Sequence, residues 1–437
     1  MQTRLDNNDT LAQEKREIAD SVLRRCVHCG FCNATCPTYA VTGNELDGPR
    51  GRIYLIKQAL ESGTATRLTQ QHLDRCLTCM ACESTCPSGV RYHSLLDIGR
   101  EAVDTQVRRP WREALQRAVL RAVVSRPRVL ALLARLAGLI RFALPATWQS
   151  RLPPSPNTVQ VPAPGHSHHA AISSEHQSPR QVVMLGGCAE TVLTPATRTA
   201  AMRVLATQQI TTREVRGAGC CGALHFHFGD RAGGLERARR NVDALADALD
   251  DGASYVVSTA SGCGAFIRDY TEILHHDPDY HERAHRVSTA HRDVCEILNL
   301  DLLSSATRAA PAAATATAFH CPCTMQHAQG LDDRVPAVLA AAGIDSLKAP
   351  GPARCCGSAG AYSVLQPGMA STLGAWRAEQ LTATGAARIL TANVGCQQHL
   401  ARFTQLPVQH WLEAVAAQLD AAAAADASPP VGEPLPR

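Results

Sequence analysis

Aromatic side chains are scarce. Seven Phe, seven Tyr and four Trp make 4% of 437 residues, which argues against the stacking platforms that hold single-stranded nucleic acid. Charge is thin as well, at 19%, and the net value of +4 names no polyanionic partner; nucleic acid is not an expected partner. No uninterrupted apolar run reaches the length of a membrane-spanning helix. The opening MQTRLDNNDTLAQEKREIAD is polar, without the apolar stretch of a secretory signal. A Gly-rich dinucleotide fingerprint at a strand–helix junction is missing, and so is a clear base for proton abstraction. Hydride chemistry is therefore not expected of this chain. The length suffices for two or three domains with real cores.

Cysteine is what the chain has in excess, eighteen in all. Without a secretory signal the expected location is the cytoplasm, where thiols stay reduced, so the cysteines read as metal ligands or redox groups before disulfides. Two runs, CVHCGFCNATCP and CLTCMACESTCP, share the spacing C-x2-C-x2-C-x3-C-P: Cys26, Cys29, Cys32 and Cys36, then Cys76, Cys79, Cys82 and Cys86. Thiolates two residues apart wrap one turn of backbone around a cube of iron and sulfide, and the proline after the fourth redirects the chain. In two-cluster ferredoxins the fourth cysteine of each run serves the other cluster. The expected ligand sets are Cys26, Cys29, Cys32 and Cys86 for one [4Fe–4S] cluster, and Cys76, Cys79, Cys82 and Cys36 for the second. Structural zinc prefers two C-x2-C pairs on either side of a longer loop and fits these runs poorly. Between the runs, GPRGRIYLIKQALESG reads as a helix by its apolar Ile53, Leu55, Ile56, Ala59 and Leu60. Arg50 and Arg52 at its start either balance the negative clusters or sit in solvent; the sequence does not choose.

Residues 103–151 are basic, with ten arginines against Asp104 and Glu113, a net +8. Within them RVLALLARLAGLIRFAL is an apolar helical segment interrupted by Arg135 and Arg141. It either lies on an anionic membrane surface or packs against the rest of the protein or a partner. Burial is the commoner fate of an amphipathic helix and favours packing. Residues 152–180, rich in Pro, Ser and His, read as a linker in which His166, His168 and His169 are solvated. The tail 420–437 reads as disordered.

The remaining cysteines form an internal repeat. Cys188 is followed after 31 residues by Cys220-Cys221-Gly222 and after 41 more by Cys263; Cys323 is followed after 31 by Cys355-Cys356-Gly357 and after 39 by Cys396. Strand-like VVMLGGC, YVVSTASGC, ATAFHCPC and ARILTANVGC alternate with helical LERARRNVDALADAL and VPAVLAAAG, which predicts two similar α/β halves with parallel sheets, over 181–310 and 311–419. Each half then places its cysteines at strand ends. Four thiols per half suffice for a further iron–sulfur cluster or a reactive dithiol. His225, His227, His320 and His399 stand beside them as hydrogen-bond donors to cluster sulfur or as structural groups. Cys295 and Cys321 fall outside the repeat and receive no role. The fold class is thus an α+β and α/β combination: an α-helical two-[4Fe–4S] ferredoxin-type domain over 1–102, the basic helical connector over 103–151, then the two repeated halves.

On the two cysteine runs, GNELDGPRGRIYLIK, SGCGAF, HCPCTMQH, CCGSAGAYSVLQP, TANVGCQQHL and PVQHWLE, the chain resembles the iron–sulfur subunits of bacterial glycolate oxidase, a glycolate dehydrogenase. More widely, the repeat is similar to the cysteine-rich CCG domains of heterodisulfide reductase and of the anaerobic glycerol-3-phosphate dehydrogenase iron–sulfur subunit. In the heterodisulfide reductase family each copy ends in C-x2-C, where this chain has Phe266 and His399. That departure weakens the case for the unusual cluster of that family and for thiol–disulfide catalysis here. The resemblance implies a division of labour. A flavoprotein subunit oxidises glycolate to glyoxylate, and this chain, an oxidoreductase subunit without the hydride-transfer site, carries electrons toward a membrane quinone or electron-transport chain. It also implies a place in the cytoplasm or on the inner face of the cytoplasmic membrane. Subunits of this layout serving lactate or glycerol-3-phosphate are the alternative.

Overall fold

The computed structural model describes residues 2–5, 12–140, 180–310 and 315–426. All but the last residue of the expected linker over 152–180, with His166, His168 and His169, lies outside the described residues, as do Arg141 and Arg151.

Up to Ile140 every regular element is helical. The helices Gln13–Arg25, Pro49–Ser62, Arg67–Asp74 and Tyr92–Gln106 share one core of Leu23, Ile53, Ile56, Leu60, Leu73, Leu95 and Leu96. Pro49 occupies the first turn of its helix and Gly63 closes it in the left-handed conformation. The apolar spacing read from the sequence puts Ile53, Ile56, Ala59 and Leu60 on the buried stripe. Two glycines let this helix sit close to its neighbours. A Cβ on Gly51 would stand 2.2 Å from the Glu45 carbonyl oxygen, and one on Gly99 would stand 2.6 Å from the Ile56 side chain.

The helix Tyr92–Gln106 runs through the boundary expected at 102/103. The basic connector then forms two helices, Trp111–Val124 and Pro127–Ile140, broken where Pro127 starts the second. Their packing is one-sided. Arg109 joins Asp74, Asp104 and Glu113, and Arg121 Nη1 donates to the Phe228 carbonyl at 2.6 Å. Trp111, Leu115, Val119, Leu132 and Leu136 on the other side are exposed.

The two repeats are the predicted α/β halves. Strands β1 (Gln181–Met184), β2 (Thr211–Glu214), β3 (Tyr255–Ser258) and β4 (His291–Asp293) form a parallel sheet in the order β2-β1-β3-β4. Strands β5 (Thr317–His320), β6 (Ser346–Leu347), β7 (Arg388–Thr391) and β8 (Val408–His410) repeat it as β6-β5-β7-β8. In each sheet the chain reverses its winding between the two central strands, the position where open parallel sheets carry their sites. Cys188 follows β1 and Cys263 follows β3; Cys323 follows β5 and Cys396 follows β7. One apolar core, with Val182, Val257, Phe319, Leu390 and Trp411, joins the halves, and His410 Nε2 donates to the Thr259 carbonyl across the join at 3.0 Å.

The C-terminal helix Trp411–Asp426 corrects the tail expected from 420. Its alanine run continues the helix past Leu419, and Ala422 is buried. Alanine is the strongest helix former, and a charged-poor composition hid that.

Candidate metal centres

The eight cysteines of the N-terminal runs surround two adjoining cavities. Cys26, Cys29, Cys32 and Cys86 line one. Cys36, Cys76, Cys79 and Cys82 line the other. The fourth thiol of each run lines the cavity of the other run, and Cys82 lines both. Pro49 and Tyr92 line both and form the wall between them. No disulfide links any of the eighteen cysteines.

The local backbone shows how short runs enclose a cavity. His28 and Gly30 in the first run, and Thr78 and Met80 in the second, adopt φ of 57°, 84°, 54° and 60°. Alternating left-handed residues turn successive backbone N–H groups to one side, an arrangement that suits an anionic guest. At Thr78, a β-branched residue, this conformation is strained and needs its surroundings to hold it.

The residues present fit iron–sulfur clusters. Burial pushes the Cys32 thiol up to about 11, and Cys79 and Cys82 well above their ordinary values. Thiols gathered this way ionise when a cation shares the charge. The Tyr92 hydroxyl, buried in the shared wall, and the buried His28 Nε2 at the first cavity have no hydrogen-bond partner in the protein. Sulfide and thiolate are acceptors such donors can use.

Each repeat gathers its own four thiols. In the second, Cys323 and Cys355 sulfurs are 3.8 Å apart and Cys356 and Cys396 sulfurs 3.3 Å apart. In the first, hydrogen bonds from Cys188 and Cys221 pull the Cys220 thiol well down, while Cys188 and Cys221 are themselves pushed up. The glycine of each CCG triplet has a steric cause. Gly222 and Gly357 have φ of 99° and 85°, and a Cβ on either would stand 2.7 Å from a backbone carbonyl, of Gly234 and Ala370 respectively. Gly222→Ala and Gly357→Ala should each destabilise the fold by about 1–3 kcal/mol through overpacking and raise the reactivity of the adjoining thiols. Denaturant midpoints and thiol labelling check this; an unchanged midpoint would mean that the close approach is not needed.

Residues 22–90 match the 4Fe-4S dicluster domain, and residues 182–268 and 317–401 match the Cysteine-rich domain. The chain is 45% identical to the glycolate oxidase iron-sulfur subunit of Escherichia coli (strain K12), over 96% of this chain and all of that one. It belongs to the glycolate oxidase iron–sulfur subunit family. Similarity extends to the probable glycolate oxidase iron-sulfur subunit of Bacillus subtilis (strain 168), 28% identical over 87% of this chain and 89% of that one. It reaches lactate utilization protein A of Geobacillus thermodenitrificans (strain NG80-2), 25% identical over 41% of this chain and 73% of that one. Iron–sulfur binding by this family member thus stands on both its domains and its thiol geometry.

Of the four histidines beside the repeat cysteines, one faces the thiols. A ring nitrogen of His320 and the Cys356 and Cys396 sulfurs lie within 4.8 Å of one another. Arg377 Nε donates to His320 Nδ1 at 3.1 Å, and the buried Nε2 has no partner. His227 pairs with Asp97 at 3.2 Å, His399 Nε2 hydrogen-bonds the Ala370 carbonyl at 3.0 Å, and His225 Nδ1 pairs with Asp230 at 2.7 Å. Sequence reasoning missed Arg377. Burial lowers the Arg377 pKa, and Cys356, Cys321 and Cys396 oppose that shift; Cys321 directly follows β5 and His320 and packs against the apolar core that joins the halves. Cys295 is fully buried in the apolar core.

The two repeats differ in their neighbours. Leu77 and Cys79 of the second N-terminal run share an apolar cluster with Cys323, Cys355 and Tyr362, and Tyr362 donates to the Arg75 carbonyl at 2.9 Å. The second repeat's thiols thus adjoin the second cavity.

Proposed function

We propose that this chain is the electron-relay subunit of a complex in which a flavoprotein subunit oxidises glycolate to glyoxylate and a membrane quinone or electron-transport chain is the acceptor. Iron–sulfur clusters held by the two cavities, and by the repeat thiols, supply one-electron transfer. The protein's part is to hold eight thiolates in two crossed sets, to exclude water behind Tyr92 and Pro49, and to seat the second repeat's thiols against the second set. That juxtaposition is the observation that carries the reading. The substrate rests on the similarity to the glycolate oxidase subunits. Membranes from wild-type and deletion strains, given glycolate, lactate or glycerol-3-phosphate, test it. Glycolate-driven acceptor reduction should disappear with the gene. If it persists while another donor's activity is lost, glycolate is the wrong substrate.

Docking to the membrane falls to the connector. No helix among the described residues is long and apolar enough to cross a bilayer. The exposed apolar side chains Trp111, Leu115, Leu132 and Leu136 stand on helices that also expose Arg112, Arg128 and Arg135, with Arg126 exposed in the break between them. Apolar insertion beside cationic headgroup contacts is the chemistry of an anionic lipid surface. The full chain should bind vesicles containing phosphatidylserine, lose most of that binding in about 1 M salt, where the screening length is about 3 Å, and lose it with Leu132→Asp. Vesicle binding indifferent to salt, or none by the intact complex, would leave these helices as a protein interface.

A further inference from the structure

Arg50 and Arg52, two residues apart on one helix, meet different surroundings. Arg50 is half-exposed, lines the first cavity and is ion-paired to Glu45 at 2.6 Å. Arg52 is buried, with 1% of its side chain exposed, and lines the second cavity. Its Nε donates to the His72 carbonyl at 2.7 Å and its Nη2 to Thr38 Oγ1 at 3.1 Å; Thr38 Oγ1 is in turn 3.2 Å from the Cys36 sulfur. Asp47, fully buried, is a carboxylate shared among Arg75 at 2.9 Å, the His72 ring at 2.7 Å and Arg52 at 3.9 Å. Besides the cysteines and Tyr92, the other ionisable side chains lining this cavity, Glu83 and His93, pair with each other at 2.9 Å. Arg52 and Arg75 against Asp47 leave the network beside the second cavity with one net positive charge, Arg52 buried and Arg75 37% exposed, whereas Arg50 and Glu45 cancel at the first and both face water. A charge in a low-dielectric interior acts over several ångströms with little screening.

We propose that Arg52 makes the cluster held by Cys36, Cys76, Cys79 and Cys82 the more easily reduced of the two, so that an electron entering the domain settles beside the second repeat. This rests on the two-cluster reading above. A cluster gains negative charge on reduction, and its potential follows the net charge, hydrogen bonding and burial around it. Arg52 is a positioning residue in this role: Thr38 stands between its guanidinium and the sulfur of Cys36, and it ligates nothing.

The test is an anaerobic redox titration of the full chain, followed by EPR. Arg52→Gln should shift the midpoint of the second cluster downward. Arg52→Lys should recover most of that shift. Asp47→Asn, which removes the opposing charge from the same network, should shift it upward. The first cluster should move less in every case, and Arg50→Gln should leave the second where it was. A merely structural role would move the Arg52→Gln and Asp47→Asn midpoints in the same direction, and that result, or an unmoved midpoint, overturns the proposal. If Arg52→Gln loses the second cluster, Asp47→Asn and the unmodified protein decide. In the unmodified protein the first signal to appear on stepwise reduction should be the one missing from Cys79→Ser; the reverse order overturns the proposal. Fewer than two [4Fe–4S] signals in the unmodified protein would overturn the two-cluster reading and this proposal with it.

Discussion

Cys36→Ser should cost the protein the cluster of the run that Cys36 does not belong to. Cys36 lines the cavity of Cys76, Cys79 and Cys82, and Cys86 lines that of Cys26, Cys29 and Cys32. Serine keeps the size of the side chain and removes a thiolate, so the expected loss is a ligand and not a packing contact. Burial of Cys36 beside Thr38 and the Asp47 carbonyl leaves the serine hydroxyl partners of its own, which argues against general unfolding. EPR of Cys36→Ser should keep the signal that Cys86→Ser loses, and the converse. Loss from the sequence-local run in each variant would contradict the crossed ligand sets.

Replacing Cys355 and Cys356 by serine should stop acceptor reduction by the assembled complex while both N-terminal signals remain. Cys323 and Cys355 share an apolar cluster with Leu77 and Cys79, and the first repeat makes its contacts with the N-terminal domain through charged pairs, such as His227 with Asp97 and Arg231 with Glu101. The same double replacement at Cys220 and Cys221 should release iron from the first half and leave the second half loaded. Iron content after anaerobic gel filtration, measured beside quinone-analogue reduction, separates the two halves. A larger loss of electron transfer from the first-half variant would contradict the contact as the relay route.

Much of this was legible before any coordinate. The paired sheets follow from cysteine intervals of similar length preceded by short apolar strands, and the run spacing marks the eight thiols that line the two cavities. Single residues were harder. The sequence offers Arg50 and Arg52 as equals, and helical periodicity separates their faces without saying which face meets the thiols; the fold buries Arg52 through contacts with His72 and Thr38, each far along the chain. Arg377 reaches His320 at the end of β5 from the helix Pro367–Thr382, a meeting that only tertiary packing produces. His399 stands one helical turn after Cys396, yet its ring is held by the Ala370 carbonyl and the Phe403 edge. An amphipathic connector reads as packing because such helices are mostly covered; among its described residues only one side is.

The most direct measurement is freeze-quench EPR of the intact complex mixed anaerobically with glycolate and no acceptor. The account predicts that both [4Fe–4S] signals of this chain appear, the Cys36, Cys76, Cys79 and Cys82 cluster ahead of the other, and that adding a quinone analogue erases them. Bleaching of the flavin with no iron–sulfur signal from this chain, while added quinone is still reduced, would show that electrons bypass it.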